Sequence, residues 1–123
     1  MKTNASSAVD FLIKFSGDNL IALTSIIPDG KATTKTFASS ERDEMRKFIE
    51  VRNQKENIYY SVNPVKGQLN KKASKADIKE FAWLHIDIDP DEGMGLEEAR
   101  EQISSKLEGS PLKPTAILDS GNG

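Results

Sequence analysis

The feature that most constrains this sequence is residues 83–90, an apolar run that carries two aspartates one residue apart. Side chains alternate between the two faces of a β-strand, so Leu84, Ile86 and Ile88 are expected to share one face. Asp87 and Asp89 share the other face, where two like charges side by side cost free energy unless a cation neutralises them. Because hard divalent ions such as Mg²⁺ bind carboxylates together with substrate phosphates, the pattern predicts a metal site that handles phosphates.

Length and composition restrict the class of protein. With 123 residues, 37% hydrophobic and 29% charged, the sequence is typical of one globular domain over residues 1–123. The formal net charge of -2 means that any nucleic-acid surface has to be a local basic patch. The sequence contains no cysteine, which excludes thiolate metal sites and a cysteine nucleophile, and its one histidine argues against a zinc site with several histidines.

The sequence also bears on the compartment. The N-terminal residues lack the apolar core of a signal peptide, and no apolar run reaches the length of a membrane span. A chain without cysteine fits a reducing compartment. We therefore expect a cytoplasmic protein without a membrane partner.

The first half of the chain shows helical and strand patterns in alternation. Apolar spacing and β-branched runs predict helices over residues 4–16 and 41–53, and strands over residues 19–27, 31–37 and 57–62. Asn4 is the expected N-cap of the first helix, and Gly17 its stop. Ser39 or Ser40 is the expected N-cap of the second helix, which is expected to turn Met45, Phe48 and Ile49 towards the core. A turn over residues 28–30 makes the first two strands a predicted hairpin.

The second half of the chain reads as a crossover unit. The predicted elements are a helical turn at residues 74–77, a strand over 81–89, a helix over 96–107 and a strand over 115–118. A strand-helix-strand unit normally makes its strands parallel, with both carboxyl ends at one edge of the sheet. Asp87, Asp89 and the loop that contains Ser120, Gly121 and Asn122 are expected to meet there. The predicted fold class is α/β, a mixed sheet with flanking helices.

Other residues are weaker candidates for the same site. Lys72 lies in a lysine-rich loop over residues 70–75 and is a candidate for contact with a triphosphate or a template backbone, the alternative being a solvated loop. His85 lies on the carboxylate face and is a candidate ligand for the metal or nucleotide, the alternative being a structural hydrogen bond. Trp83 and Tyr59 are predicted to be core residues rather than base-stacking platforms.

Two motifs resemble those of a known family. His85-Ile86-Asp87-Ile88-Asp89, followed by a helix, a strand and Ser120-Gly121-Asn122-Gly123, resembles the archaeo-eukaryotic primase superfamily in its phage and plasmid primase-polymerase branch. In that family an apolar-Asp-apolar-Asp strand precedes a Ser-Gly-x-Gly-x-His motif. The segment over residues 60–64 and the basic loop after it are also similar to what precedes the metal motif in that branch.

The resemblance implies roles for individual residues. Asp87 and Asp89 would bind Mg²⁺ or Mn²⁺ ions, and Ser120 and Gly121 would contact phosphates. The implied partners are nucleoside triphosphates, a single-stranded DNA template and a fused or separate helicase. The implied activity is that of a DNA primase or polymerase in the replication of a phage, plasmid or other mobile element.

The resemblance also implies that residues 1–123 are the N-terminal part of a primase-polymerase catalytic domain, truncated after the Ser-Gly-Asn-Gly motif. The histidine and the third carboxylate of the family have no counterpart in the sequence. A two-metal phosphoryl-transfer site holds its ions with several carboxylates, so the 123-residue chain is expected to be inactive or nearly so by itself.

Two other functions fit part of the pattern. A nucleotide-sugar glycosyltransferase also uses an Asp-x-Asp metal motif at the end of a strand, but it requires a uridine-binding loop for which the N-terminal residues offer no good candidate. A non-catalytic module would instead bind nucleic acid or a replication partner through the lysine-rich loop, without need of metal.

Overall fold

The structure is a computed structural model that describes residues 4–89 and 91–118. Its elements, in chain order, are helix α1 (Ala5–Ser16), strands β1 (Ile21–Ile26) and β2 (Ala32–Phe37), helix α2 (Arg42–Arg52), strand β3 (Asn57–Tyr60), a 3-10 helix (Lys75–Asp77) and helix α3 (Leu96–Glu108). In this part of the chain, no helix has the length and apolar character needed to span a membrane.

The chain divides into two compact units, Met1–Leu84 and His85–Gly123. The first unit carries the sheet and two helices, and the second carries α3. The prediction that residues 1–123 form one domain stays a prediction.

The sheet of the first unit has three antiparallel strands in the order β2-β1-β3. In the register between β1 and β2, Ile21 lies opposite Phe37, and in the register between β1 and β3, Leu23 lies opposite Tyr60. Residues directly opposite each other share a face. These apolar pairs therefore place one hydrophobic face on the sheet.

Helices α1 and α2 supply the other half of the core. Buried apolar residues of both helices form one cluster with β1 and β2, made of Ala5, Val9, Leu12, Ile21, Leu23, Phe37, Met45 and Ile49. The predicted core role of Met45 and Ile49 is confirmed, and Phe48 packs against the cluster with its ring 5.6 Å from that of Phe37. The first unit is thus a helical layer on one face of a sheet.

The opposite face of the sheet is lined with hydroxyl groups. Thr24 and Thr34 lie opposite each other, and their buried hydroxyls form a hydrogen bond of 2.8 Å. Thr36 is also buried, and its Oγ1 accepts a hydrogen bond of 3.0 Å from the backbone N–H of Leu69. The chain after β3 is therefore anchored to the sheet face that the helices leave uncovered.

Local signals predicted the first half of the chain well. Asn4 caps α1, since its side chain accepts a hydrogen bond of 3.0 Å from the N–H of Ser7. Gly17 ends α1 with a φ of +59°, a region that costs glycine little. The predicted N-cap of α2 was displaced: Glu41 holds that position, and its carboxylate accepts a hydrogen bond from the N–H of Ala38.

The two strands predicted at residues 81–89 and 115–118 do not form. A strand requires a neighbouring strand for its backbone hydrogen bonds, and the sheet of the described residues contains only β1, β2 and β3. The alternation of apolar residues is present in the sequence, but alternation alone does not provide a neighbouring strand to pair with. The mixed helix-and-sheet class is confirmed, whereas the sheet is antiparallel throughout rather than mixed.

Candidate metal site and basic lobe

Asp87 and Asp89 lie in an exposed segment without regular secondary structure. His85 is exposed as well. The apolar face that the sequence predicts to be buried is also exposed, since Leu84 is 95% exposed and Ile86 is 84% exposed. The carboxylates are therefore accessible, but they are not held at the end of a buried strand as the sequence pattern predicted.

The electrostatics around this carboxylate pair are simple. Among the residues that the structure describes, neither Asp87 nor Asp89 forms a salt bridge. The described part of the chain contains no group of three or more histidine, cysteine or acidic side chains placed to hold a metal ion. Two carboxylates leave coordination positions of a divalent ion that water or a bound phosphate can fill.

The predicted phosphate loop lies outside the described residues. Ser120, Gly121 and Asn122 belong to this undescribed part of the chain, so their meeting with Asp87 and Asp89 stays a prediction. The segment that leads to them, residues 115–118, is exposed and has no strand conformation. The crossover that was expected to bring the two motifs to one sheet edge is absent from the described residues.

Lys72 belongs to a different feature, which we name the basic lobe and define as residues 64–80. An isolated antiparallel bridge between Val65 and Ile78 closes its base. Next to the bridge, the N–H of Lys79 donates a hydrogen bond of 2.8 Å to the carbonyl of Pro64. The lobe is thus a closed loop with a fixed base.

Two further contacts give the basic lobe internal order. Asp77 accepts hydrogen bonds of 2.8 Å from the backbone N–H of Ser74 and 2.9 Å from its hydroxyl. Both bonds lower the pKa of the Asp77 carboxyl below its ordinary value, and the bond from the backbone N–H has the larger effect. The bond from Leu69 to Thr36 attaches the middle of the lobe to the sheet.

The basic lobe concentrates positive charge. Its lysines are all exposed, and they are Lys66, Lys71, Lys72, Lys75 and Lys79. Against them stand Asp77 and Glu80, so five positive and two negative charges leave the lobe at +3 within a chain of net charge -2. The lysines form no salt bridge within the described residues. Their charge is therefore available to an anionic partner.

A surface pocket of about 230 Å³ lies at the base of the lobe. It is lined by Asp18, Asn19, Leu20, Val65, Lys66 and Lys79. The sequence offers no signal that Lys66 and Lys79 are neighbours, because the bridge between residues 65 and 78 that brings them together is a non-local contact.

The two aromatic residues predicted to be core differ from each other. Trp83 is partly buried and stacks on Phe15, with ring centroids 4.5 Å apart. Its backbone N–H donates a hydrogen bond of 2.8 Å to the side chain of Asn63. Tyr59, in contrast, is 53% exposed, so its prediction as a core residue was wrong. It lies on the hydroxyl-lined face, opposite Thr24.

The first unit also contains a polar contact to a buried side chain that the sequence does not predict. The fully buried hydroxyl of Ser25 donates to the carboxylate of Glu56, which also pairs with the guanidinium of Arg52 at 3.2 Å. The Ser25 hydrogen bond is the main reason why the pKa of Glu56 is lowered, and Arg52 lowers it further. The contact ties the chain between α2 and β3 to the central strand.

Comparison with known proteins does not assign the chain to a family. No protein-family model matches it, and no curated protein or solved structure matches it significantly. The function therefore has to be argued from the chemistry of the exposed carboxylates and the basic lobe.

Proposed function

We propose that Asp87 and Asp89 bind a divalent cation, Mg²⁺ or Mn²⁺, and that the chain is part of a DNA primase-polymerase that catalyses metal-dependent, template-directed nucleotidyl transfer. The observation that carries the proposal is the pair of exposed carboxylates one residue apart, set within an apolar alternating sequence. A similar apolar-Asp-apolar-Asp pattern carries the metal ions in the primase-polymerase branch that the sequence resembles.

The donor set suits such an ion. Two carboxylates supply the hard oxygen ligands that Mg²⁺ and Mn²⁺ prefer, and they leave positions for water and phosphate oxygens. When bound, the ion would neutralise the charge of a triphosphate and of the attacking oxygen. Asp87 and Asp89 would hold it, while the His85 imidazole would donate a hydrogen bond to a phosphate oxygen.

The proposed substrates are nucleoside triphosphates, and the proposed template is single-stranded DNA, copied during replication of a phage, plasmid or other mobile element with a fused or separate helicase. Ser120, Gly121 and Asn122 would approach the phosphates through backbone N–H groups, which glycine permits. Lys72 would contribute a point charge towards a phosphate.

Metal binding tests the carboxylates directly. We expect Mn²⁺ to bind the wild-type chain, measured by loss of the free-ion signal in electron paramagnetic resonance, and the Asp87→Ala/Asp89→Ala variant to bind at least tenfold more weakly. The matched control is Asp91→Ala/Glu92→Ala, which removes two exposed carboxylates just downstream. Calorimetry with a nucleoside triphosphate, with and without Mg²⁺, then tests whether the ion recruits the nucleotide.

The outcomes separate clearly. Nucleotide binding that requires both the ion and Asp87 with Asp89 supports the proposal. Equal Mn²⁺ affinity in the wild type and in the Asp87→Ala/Asp89→Ala variant contradicts it. An equal loss of affinity in the Asp91→Ala/Glu92→Ala control also contradicts it, since the effect would then follow from charge alone.

A second function is favoured by a separate observation. The basic lobe carries a net charge of +3 on a closed loop whose lysines are exposed. We propose as the alternative that the chain is a non-catalytic module that binds single-stranded nucleic acid through this lobe, without need of metal. The phosphate backbone would be the ligand, since lysine binds it as a point charge.

Salt dependence distinguishes this alternative. Fluorescence anisotropy with labelled single-stranded DNA gives the slope of the logarithm of the binding constant against the logarithm of the salt concentration. We expect the magnitude of this slope to fall by about 1.4 in Lys71→Ala/Lys72→Ala, or about 0.7 for each lost phosphate contact. The charge-matched control is Lys47→Ala/Lys55→Ala, which removes two exposed lysines from α2 and the turn after it. Binding that survives Asp87→Ala/Asp89→Ala favours the module, and unchanged slopes in the lobe variant contradict it.

A further inference from the structure

Residues 84–88 expose apolar side chains at alternate positions. Leu84, Ile86 and Ile88 are 95%, 84% and 41% exposed. Their spacing is that of one face of a β-strand, yet the segment has no strand conformation and no backbone hydrogen bond to another described residue appears within it. An apolar stretch with free backbone groups is a template for pairing with another strand. What pairs with it can be argued from its own sequence.

We propose that residues 84–88 form an antiparallel pair with the same residues of a second copy of this chain. The pairing places Ile86 opposite Ile86 of the other copy, with a twofold axis between them. It puts Leu84 opposite Ile88 twice, so the exposed apolar side chains cover one another across the ladder. A twofold pairing is closed, since each copy offers the same surface to the other.

The polar face of the segment selects this register. With Ile86 opposite Ile86, the imidazole of His85 lies opposite the carboxylate of Asp87 on both sides of the axis. A ring N–H donates to a carboxylate, and directly opposite residues are close enough for such a pair. The segment is thus complementary to itself in hydrogen bonding as well as in apolar pattern.

Neighbouring registers bring together side chains that do not complement each other. A shift that centres the pair on Asp87 puts two carboxylates directly opposite each other, and a shift that centres it on His85 puts two imidazoles together. Like charges directly opposite destabilise the register centred on Asp87, and the register centred on His85 loses both hydrogen bonds between imidazole and the Asp87 carboxylate. In other registers an even-numbered residue lies opposite an odd-numbered one. Apolar side chains then lie opposite His85 or an aspartate, because successive residues alternate between faces.

The contact is small, which determines its strength. A two-stranded ribbon is marginal by itself in water, and a five-residue ladder buries far less surface than a standard protein interface. We therefore expect dimers that form with rising concentration and dissociate on dilution. The pairing itself needs no metal ion and no nucleotide, but it engages His85 and Asp87, so dimer formation and the proposed metal binding would compete for these side chains.

Cysteine cross-linking tests the register, since the chain contains no cysteine of its own. Under mild oxidation, Ile86→Cys is expected to form covalent dimers at least tenfold faster than the control Val51→Cys, a residue of α2 that is 74% exposed. Leu84→Cys is expected not to cross-link to itself. Its counterpart lies four residues along the ladder, about 13 Å away, which exceeds the reach of a disulfide.

The two end positions provide the decisive mixture. Leu84→Cys and Ile88→Cys, mixed at equal concentration, are expected to cross-link to each other faster than either does alone, because residue 84 lies opposite residue 88. Self-cross-linking of Leu84→Cys as fast as that of Ile86→Cys overturns the register. Cross-linking of Ile86→Cys no faster than that of Val51→Cys overturns the pairing.

Wild-type mass provides the test without cysteine. Sedimentation equilibrium is expected to show an average mass that rises towards the dimer with concentration, and Ile86→Asp is expected to remain monomeric. Val51→Asp, which places the same charge on another well-exposed position, in α2, is expected to behave as wild type. A wild type that stays monomeric at about 1 mM, or a mass that grows beyond the dimer, overturns the proposal.

Discussion

Glu56 shows how a single carboxylate becomes part of the folded structure. The buried hydroxyl of Ser25 donates to it, and the guanidinium of Arg52 lies 3.2 Å away. Both contacts favour the ionised form, so the pKa of Glu56 in the folded chain is lower than its ordinary value of 4.5. A lowered folded pKa stabilises the fold at pH values above 4.5, and this stabilisation is lost as the pH falls through the folded pKa.

Because the pKa of Glu56 is lowered by folding, replacement of this carboxylate is expected to destabilise the fold in a pH-dependent way. We expect Glu56→Gln to unfold at a lower urea concentration than wild type at pH 7. The difference between the two midpoints is expected to shrink as the pH falls from 4.5 through the lower folded pKa, where Glu56 of the wild type becomes protonated. Glu80→Gln, which removes an exposed carboxylate of the same unit, serves as the control with no expected difference. A Glu56→Gln deficit that stays constant across this pH range would contradict the prediction.

Residues differ in how far the sequence could predict their roles. Asn4, Gly17 and Met45 were predicted because their signals are local: a capping side chain, a helix stop and an apolar position in a helical period. Tyr59 was predicted wrongly, since a residue type cannot tell which face of a strand is covered. The contact between Ser25 and Glu56 had no sequence signal, because it joins residues 31 positions apart.

At the scale of the element, α1 depends on one capping side chain. The Asn4 side chain accepts a hydrogen bond of 3.0 Å from the N–H of Ser7, one of the donors that a helix start leaves unpaired. We expect Asn4→Ala to lower the free energy of unfolding by about 1 kcal/mol, measured by urea denaturation. Asn4→Asp keeps an acceptor at that position and is expected to stay near wild type. Equal losses in the two variants would show that the cap does not stabilise the helix.

Helices and strands also differ in predictability. The bonds of α1, α2 and α3 lie within each helix, so spacing and caps located them to within a few residues. Strands β1 and β2 were found because a turn joins them and makes their partner local. Residues 81–89 have the same alternating pattern but no paired strand in the described chain, which is why the predicted carboxylate-bearing strand is absent.

At the scale of the whole molecule, exposure separates the chain into protected and accessible parts. Phe81, Leu84 and Leu112 are 85%, 95% and 83% exposed, while Phe37 is fully buried. Proteolysis favours exposed segments with few backbone hydrogen bonds. We expect chymotrypsin under native conditions to cut first within residues 81–118 and to leave a fragment that contains β1, β2 and α2. Mass spectrometry identifies the cuts, and early cleavage at Phe37 would contradict the prediction.

Charge is also unevenly distributed over the molecule. The basic lobe carries +3 while the chain carries -2, so the remaining residues sum to -5. An anionic polymer would therefore be attracted at the lobe and repelled elsewhere, and added salt would weaken both effects. The overall charge, taken alone, would have hidden this asymmetry.

The stacking of Trp83 on Phe15 has a spectroscopic consequence. The chain contains a single tryptophan, and its indole lies 4.5 Å from the Phe15 ring of α1. Its emission therefore reports whether the chain at residue 83 is attached to α1, separately from the circular dichroism of the helices. A shift of the emission to longer wavelength before the helical signal is lost would identify detachment of this segment as the first step in unfolding, without any label.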